Sequence, residues 1–268
     1  MRKIGFIGTG NMGKALFLAV SKVVDCKDIY LSNRTAEKCA LICEQSGANF
    51  STNTEIARIC NYIFLCVKPQ MFKAVTEEIK DALSERSDEV VLVSPAAGVK
   101  TETLMQMAGK EFPIIRIMPN TPVSVGEGLT LITKNAAVSD EQMNFFKDIL
   151  KFSGAADEIP ENMIDAASAI SGCGPAFLYM FAESLADGGV ECGLSKEKAL
   201  LYAVKTIIGS AKLIDESGLS PSVLKDNVTS PGGSTIRGVH ALEKGNFRNT
   251  VMNSVVKAYE RTKELGKQ

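Results

Sequence analysis

The sequence predicts an α/β domain built on a parallel sheet covered on both faces, followed by an all-α domain. Up to about residue 155, short β-rich runs alternate with amphipathic stretches, and the runs are apolar throughout. Strands of that kind are buried on both faces, as in doubly wound α/β proteins. After Pro160 strand signals stop and the apolar period becomes helical. The expected boundary divides the chain into residues 1–157 and 158–268.

In order, "KIGFIG" reads as a strand and "MGKALFLAVSKV" as the helix that returns to the sheet. "IYLSN" and "AEKCALICEQSG" repeat the unit, as do "NYIFLCV" and "QMFKAVTEEIKDAL". "EVVLVSP", "PIIRIMP" and "LTLITK" are further strands, each rich in branched residues. "ENMIDAASAIS", "PAFLYMFAESLADGGVECG", "SKEKALLYAVKTIIGSAKLIDES" and "NFRNTVMNSVVKAYERTKELG" are helical in period. Ser195 with Glu197 marks a helix start, and Gly218 follows that helix's end. These helices carry Ala, Leu, Ile and Met on more than one face, so a homodimer through the C-terminal helices is expected.

Bulk properties exclude several functions. With 30 Lys and Arg against 31 Asp and Glu, the net charge of -1 gives no general attraction to nucleic acid or to an anionic membrane. No apolar run reaches the length of a membrane span. The opening residues resemble a signal peptide, but Gly8, Gly10, Asn11, Gly13 and Lys14 interrupt the apolar stretch, so a cytoplasmic protein is expected. Seven cysteines without a CxxC pair suggest neither a disulfide framework nor a zinc ribbon. With His240 as the single histidine, no metal site is expected.

"IGFIGTGNMGKAL" places Gly8-x-Gly10-x-x-Gly13 between a strand and a helix, the context in which this motif binds a dinucleotide. Gly8 allows the tight turn, Gly10 lets a pyrophosphate approach the backbone, and Gly13 lets the helix pack on the strand. Thr9, Asn11 and Met12 complete the turn and the helix start, whose free N–H groups face the phosphates. This is a Rossmann-type cofactor domain. NAD-binding folds tend to place Asp or Glu after the second strand to hold the ribose. Here Ser32-Asn33-Arg34-Thr35 stands there instead, with no carboxylate to repel a 2′-phosphate and with Arg34 able to pair with it. NADPH is therefore the expected cofactor, with NADH as the weaker alternative. Val67-Lys68-Pro69, Ala96-Ala97 and Asn120 all fall at strand ends, where ligands of such sheets bind, and Asn53 is a further cofactor candidate.

Taken together, "GFIGTGNMG", "VKP", "AAG", "MPNTP", "SGCGPAF" and "LKDNVTSPGGSTIRGV" resemble the pyrroline-5-carboxylate reductases over essentially the whole chain. The resemblance implies reduction of the cyclic imine Δ1-pyrroline-5-carboxylate to L-proline, the last step of proline synthesis. It also implies an interlocked helical dimer, often within a larger ring. Two residues depart from the family pattern. Cys173 stands where serine is typical, and Pro95 stands where cysteine or isoleucine is typical, which removes a backbone donor beside the expected nicotinamide loop.

The substrate so implied joins a carboxylate to a C=N bond. Pro231, Gly232 and Gly233 lead into a helix beginning near Ser234 or Thr235, and its unpaired first N–H groups can seat the carboxylate. Asn227, Ser230 and Ser234 are secondary contacts, and the resemblance assigns Thr235 the hydrogen bond to the imine nitrogen. From the residues alone, a helix cap by Ser234 or Thr235 explains the hydroxyls equally well. Two rivals share the cofactor domain. One is a β-hydroxyacid dehydrogenase, which needs a catalytic lysine such as Lys205 or Lys212. The other is a non-catalytic NADP(H) sensor. A cysteine hydrolase at Cys173 would lack a base other than His240.

Overall fold

The computed structural model describes residues 2–96, 98–108 and 112–265. Of the residues singled out above, Ala97 lies outside them. Eight strands form one sheet: β1 (Ile4–Ile7), β2 (Ile29–Ser32), β3 (Asn49–Phe50), β4 (Tyr62–Leu65), β5 (Val91–Ser94), β6 (Ile114–Pro119), β7 (Gly128–Lys134) and β8 (Gly154–Glu158). Their order is β3-β2-β1-β4-β5-β6-β7-β8. β1 lies between β2 and β4 and pairs parallel with both, Ile4 opposite Ile29 on one side and Tyr62 on the other. The chain direction across the sheet reverses at this point, which opens a crevice beyond the strand ends.

The first seven helices are α1 (Asn11–Val20), α2 (Ala36–Ser46), α3 (Asn53–Ile59), α4 (Phe72–Ser84), α5 (Thr101–Ala108), α6 (Asp140–Ile149) and α7 (Ile164–Ser171). Side chains alternate along the strands between two cores. Phe6, Tyr62, Phe64, Val93 and Ile117 join Leu16 and Phe17 of α1, Cys39 of α2 and Phe146 of α6. Ile7, Ile63, Leu65 and Leu92 join Ile56 of α3, Ile79 of α4 and Leu104 of α5. The period of two is that of a strand buried on both faces. The rings of Phe6 and Phe64 stack at 4.5 Å between centroids, with Phe17 edge-on to Phe6 at 6.1 Å.

Local chemistry sets the helix ends. Thr52 caps α3 through the Glu55 N–H, and Ser139 with Gln142 forms a capping box on α6. α2 stops at Gly47 in the left-handed region.

The sheet departs from the expected one in three ways. β6 and β7 run antiparallel, Ile115 opposite Lys134, because the short connection through Thr121–Val125 turns the chain back without a crossover helix. β3 and β8 were not legible as strands. They are the two sheet edges, and edge strands lack the continuous apolar signature of central ones. The compact unit that holds the sheet also runs on past residue 157 to Gly172 and includes the segment from Tyr259 onward. α7 belongs to it because Arg116 on β6 pairs with Asp165 on α7 at 3.5 Å and with Glu161 at 3.2 Å. Glu161 in turn accepts from the backbone N–H and hydroxyl of Thr101 at the start of α5.

The second unit, Cys173–Ala258, contains α8 (Gly174–Glu191), α9 (Lys196–Ser217), α10 (Pro221–Asn227), α11 (Ser234–Lys244) and most of α12 (Phe247–Leu265). α8 and α9 form a hairpin in which Gly189 lies close to Ala199, and Ser195 caps α9. Its buried hydrophobic cluster is Ala186, Ala199 and Ala203. Large apolar side chains are left outside instead, among them Tyr179 at 64% and Met180 at 68% exposure. A unit with so small a core cannot offset its own conformational entropy without further burial. No helix among the described residues is long and apolar enough to cross a membrane.

The Arg116 side chain is 4% exposed, against 27% and 34% for its two carboxylate partners. Arg116→Met should lower stability in chemical denaturation by about 2–3 kcal/mol, below the full cost of a buried broken pair because the carboxylates can rehydrate.

Candidate functional site

The Gly8–Gly13 turn closes by backbone contacts that no side chain could accompany. Gly8 has φ +99°, and a Cβ on it would lie 2.6 Å from the Cys66 carbonyl oxygen at the end of β4. A Cβ on Gly13 would lie 2.1 Å from the Gly8 oxygen, so α1 can sit this close to the turn only with glycine there. Gly10, the residue before α1, faces open space, and no side chain caps the helix. The first N–H groups of α1 are thus left for a ligand. Gly8 and Gly13 are thus required by close backbone approach, and Gly10 leaves the start of α1 open.

The turn is tied to the end of β2. The Gly8 N–H donates to the Ser32 carbonyl at 2.9 Å, and the Thr9 N–H donates to Asn33 Oδ1 at 3.3 Å. Asn33 Nδ2 donates to the Thr35 carbonyl. Asn11 is exposed at the start of α1, and Met12 packs against the core. Ser32 donates from its hydroxyl to Asn53 Oδ1 at 2.6 Å, which places the start of α3 beside β2.

These elements wall a cleft of about 710 Å³, within the range of cofactor sites. Gly8, Gly10, Ser32, Asn33, Arg34, Asn53, Val67 and Lys68 line it, as do residues the sequence reading missed: Phe50 at the end of β3, Ser51 and Thr52 after it, Gln70 and Met71, and Ala74, Val75 and Glu78 of α4. The spacing of Ala74 and Glu78 puts them on one helical face, but only the packing of α4 shows which face meets the cleft. Arg34 is exposed at the cleft, without an ion pair among the described residues. Burial pushes the Cys66 thiol at the cleft up to about 12, so it is an inert packing group.

Other strand-end candidates have structural work or lie apart from the lining. Asn120 Nδ2 donates to the Ser171 carbonyl at 3.0 Å, and its Oδ1 accepts from the Leu129 N–H at 2.9 Å, which joins β6, β7 and α7. Ala96 is buried, its N–H donating to the Ser94 hydroxyl across Pro95. Pro69 begins a single 3-10 turn leading to α4.

In the helical unit, Asn227 ends α10 and Thr229 closes the next turn, its hydroxyl donating to the Lys225 carbonyl at 2.6 Å. The Gly233 N–H donates to the Ser230 carbonyl, and Gly232 adopts φ +70°. A Cβ on Gly233 would strike Ser230 Oγ at 2.4 Å. Gly233 is the residue that caps α11, and no side chain does so. Ser234 and Thr235 occupy the first two helical positions with exposed hydroxyls that make no hydrogen bond among the described residues. The helix-cap explanation for these hydroxyls therefore fails on geometry. Lys212, by contrast, pairs with Glu216 in solvent, an ordinary helix-surface lysine.

A mostly parallel sheet whose first crossover is a glycine turn opening a helix, with a cleft beyond the strand ends, defines a dinucleotide-binding protein of the Rossmann type. Two family models match the chain: "NADP oxidoreductase coenzyme F420-dependent" over residues 3–98 and "Pyrroline-5-carboxylate reductase dimerisation" over residues 161–265. The pyrroline-5-carboxylate reductase of Arabidopsis thaliana is 40% identical over 266 residues, 98% of this chain and 95% of that protein. That of Escherichia coli K12 is 39% identical, covering 99% of both chains. The crystal structure of Plasmodium falciparum pyrroline carboxylate reductase with NADP bound has a TM-score of 0.87 at 37% identity, covering 99% of this chain and 98% of that one. The chain belongs to the pyrroline-5-carboxylate reductase family, and its C-terminal region is a homo-oligomerisation domain.

The environments of the glycines separate binding from folding. Gly10→Ala should leave the melting temperature unchanged and weaken nucleotide binding. Gly13→Ala should lower stability by about 1–3 kcal/mol through overpacking. Thermal unfolding and nucleotide titration on both variants check this.

Proposed function

We propose that this chain reduces Δ1-pyrroline-5-carboxylate to L-proline, with NADPH preferred over NADH and with Thr235 as the catalytic polar group. The observation that carries the reading is the pair of open helix starts, α1 behind Gly10 and α11 behind Gly233, each capped by glycine and by no side chain. One suits a pyrophosphate and the other a carboxylate.

The residues of the cleft fit a nicotinamide dinucleotide: the glycine turn leaves N–H groups for the phosphates, and Arg34 is free to meet a 2′-phosphate. Such a cofactor supplies the hydride that reduces the imine carbon. The chain's own contribution is to bind and orient. Gly232 and Gly233 expose the backbone at the start of α11, whose first N–H groups hold the substrate carboxylate, with Asn227, Ser230 and Ser234 as neighbouring contacts. The Thr235 hydroxyl donates to the imine nitrogen; as hydride reaches carbon the C=N π pair moves onto nitrogen, which takes its proton through that hydroxyl, itself replenished from solvent. No strong base is needed, since reduction of a C=N bond is limited chiefly by alignment, worth about 7–11 kcal/mol in well-oriented reactions. A homodimer through the C-terminal helices covers the exposed apolar faces of the unit that carries α11.

NADPH oxidation with pyrroline-5-carboxylate tests the activity. Thr235→Ala should lower kcat by about 10²-fold with the fold intact by circular dichroism; unchanged kinetics would remove Thr235 from the reaction. Arg34→Ala should raise KM for NADPH and leave that for NADH nearly unaltered. A wild-type preference for NADH would overturn the cofactor assignment.

A further inference from the structure

The cleft holds a carboxylate that the end of β2 lacks. Glu78, on α4, accepts a hydrogen bond from Asn53 Nδ2 at 2.8 Å, while Asn53 Oδ1 accepts from the Ser32 hydroxyl at 2.6 Å. A carboxylate can only accept, so it holds the Asn53 amide with its NH₂ toward α4 and its oxygen toward β2. The relay Ser32–Asn53–Glu78 thus spans the cleft wall from the second strand to the fourth helix. Glu78 is exposed, and it is the only acidic residue in the lining, against Arg34 and Lys68. Among the described residues no Lys or Arg forms an ion pair with it. Its second carboxylate oxygen has no hydrogen-bond partner among the described residues.

We propose that Glu78 is a specificity-determining residue at the adenosine end of the cleft. Its carboxylate accepts from the 2′-hydroxyl of an unphosphorylated ribose and repels a 2′-phosphate, which opposes Arg34. The inference rests on reading the cleft as the dinucleotide site. Dinucleotide folds use an acidic side chain after the second strand to hold the ribose hydroxyl. In this chain that position carries Ser32-Asn33-Arg34, and the carboxylate arrives from α4, anchored to the same strand through Asn53. Cofactor choice is then a balance of one cation and one anion in a solvated cleft, where each charge contributes modestly and salt screens both.

The test uses full-length protein and two probes that differ only at the ribose 2′ position, 2′,5′-ADP and 5′-AMP, titrated calorimetrically. Glu78→Gln keeps an oxygen for Asn53 and removes the charge. It should tighten 2′,5′-ADP roughly tenfold, an effect that fades toward molar salt, while 5′-AMP stays the same or weakens slightly. Glu77→Gln removes a charge from the same helix outside the cleft lining and should change neither. An equal change for both nucleotides would place Glu78 at the base or phosphates and overturn the proposal. So would an unaltered ratio, or an equal effect from Glu77→Gln. If wild type binds neither nucleotide, the dinucleotide reading of the cleft fails and takes this inference with it. If both bind and only the ratio fails to move, the cleft reading stands and Glu78 alone is removed.

Discussion

The contact between Gly13 and the Gly8 carbonyl is the constraint from which the cleft beside the glycine turn follows. The Cβ that any other residue would carry comes within 2.1 Å of that oxygen, so α1 is seated directly on the turn that ends β1. With α1 in place, its open N-terminus is aimed across the strand ends, and the turn donates hydrogen bonds to the Ser32 carbonyl and to Asn33 Oδ1. The turn, the end of β2 and the start of α1 are one backbone-bonded piece. Side chains around it tune what it binds, but the seat itself is made of main chain.

The two compact units are stabilised differently. The sheet unit has apolar cores on both faces and a charge network in which Arg116 ties β6 to Glu161 and α7. The helical unit buries a small alanine cluster and leaves Tyr179, Met180 and other large apolar groups outside. Such a surface carries a large hydrophobic driving force for association. A family whose helical part is a dimerisation domain would cover it, so folding and assembly of this part are expected to be linked.

Much of this was legible in the sequence. Gly8, Gly10 and Gly13 could be assigned separate roles because the strand before them and the helix after them were both readable. The turn at Gly232 and Gly233 was legible as a helix start, yet its function was not. Whether Ser234 and Thr235 cap α11 depends on backbone angles, and only the structure shows Gly233 in the cap position with both hydroxyls free. The edge strands β3 and β8 escaped because their residues are largely exposed and carry no apolar run. The antiparallel β6–β7 pair escaped because strand direction is not written in composition.

What the sequence determined by itself is the local chemistry: the glycine turn, the helical second half, the absence of a carboxylate after β2, and the order of motifs shared with the reductase family. These are properties of short segments, where steric freedom and apolar period act within a few residues. What only the tertiary structure decided is which distant side chains share a space. Glu78 reaches the cleft because α4 packs its other face on the sheet, Asn120 is committed to Ser171 and Leu129, and α7 joins the sheet through Arg116. Each of these contacts joins residues far apart in the chain, and the packing of strand and helix faces, rather than the neighbouring sequence, selects them.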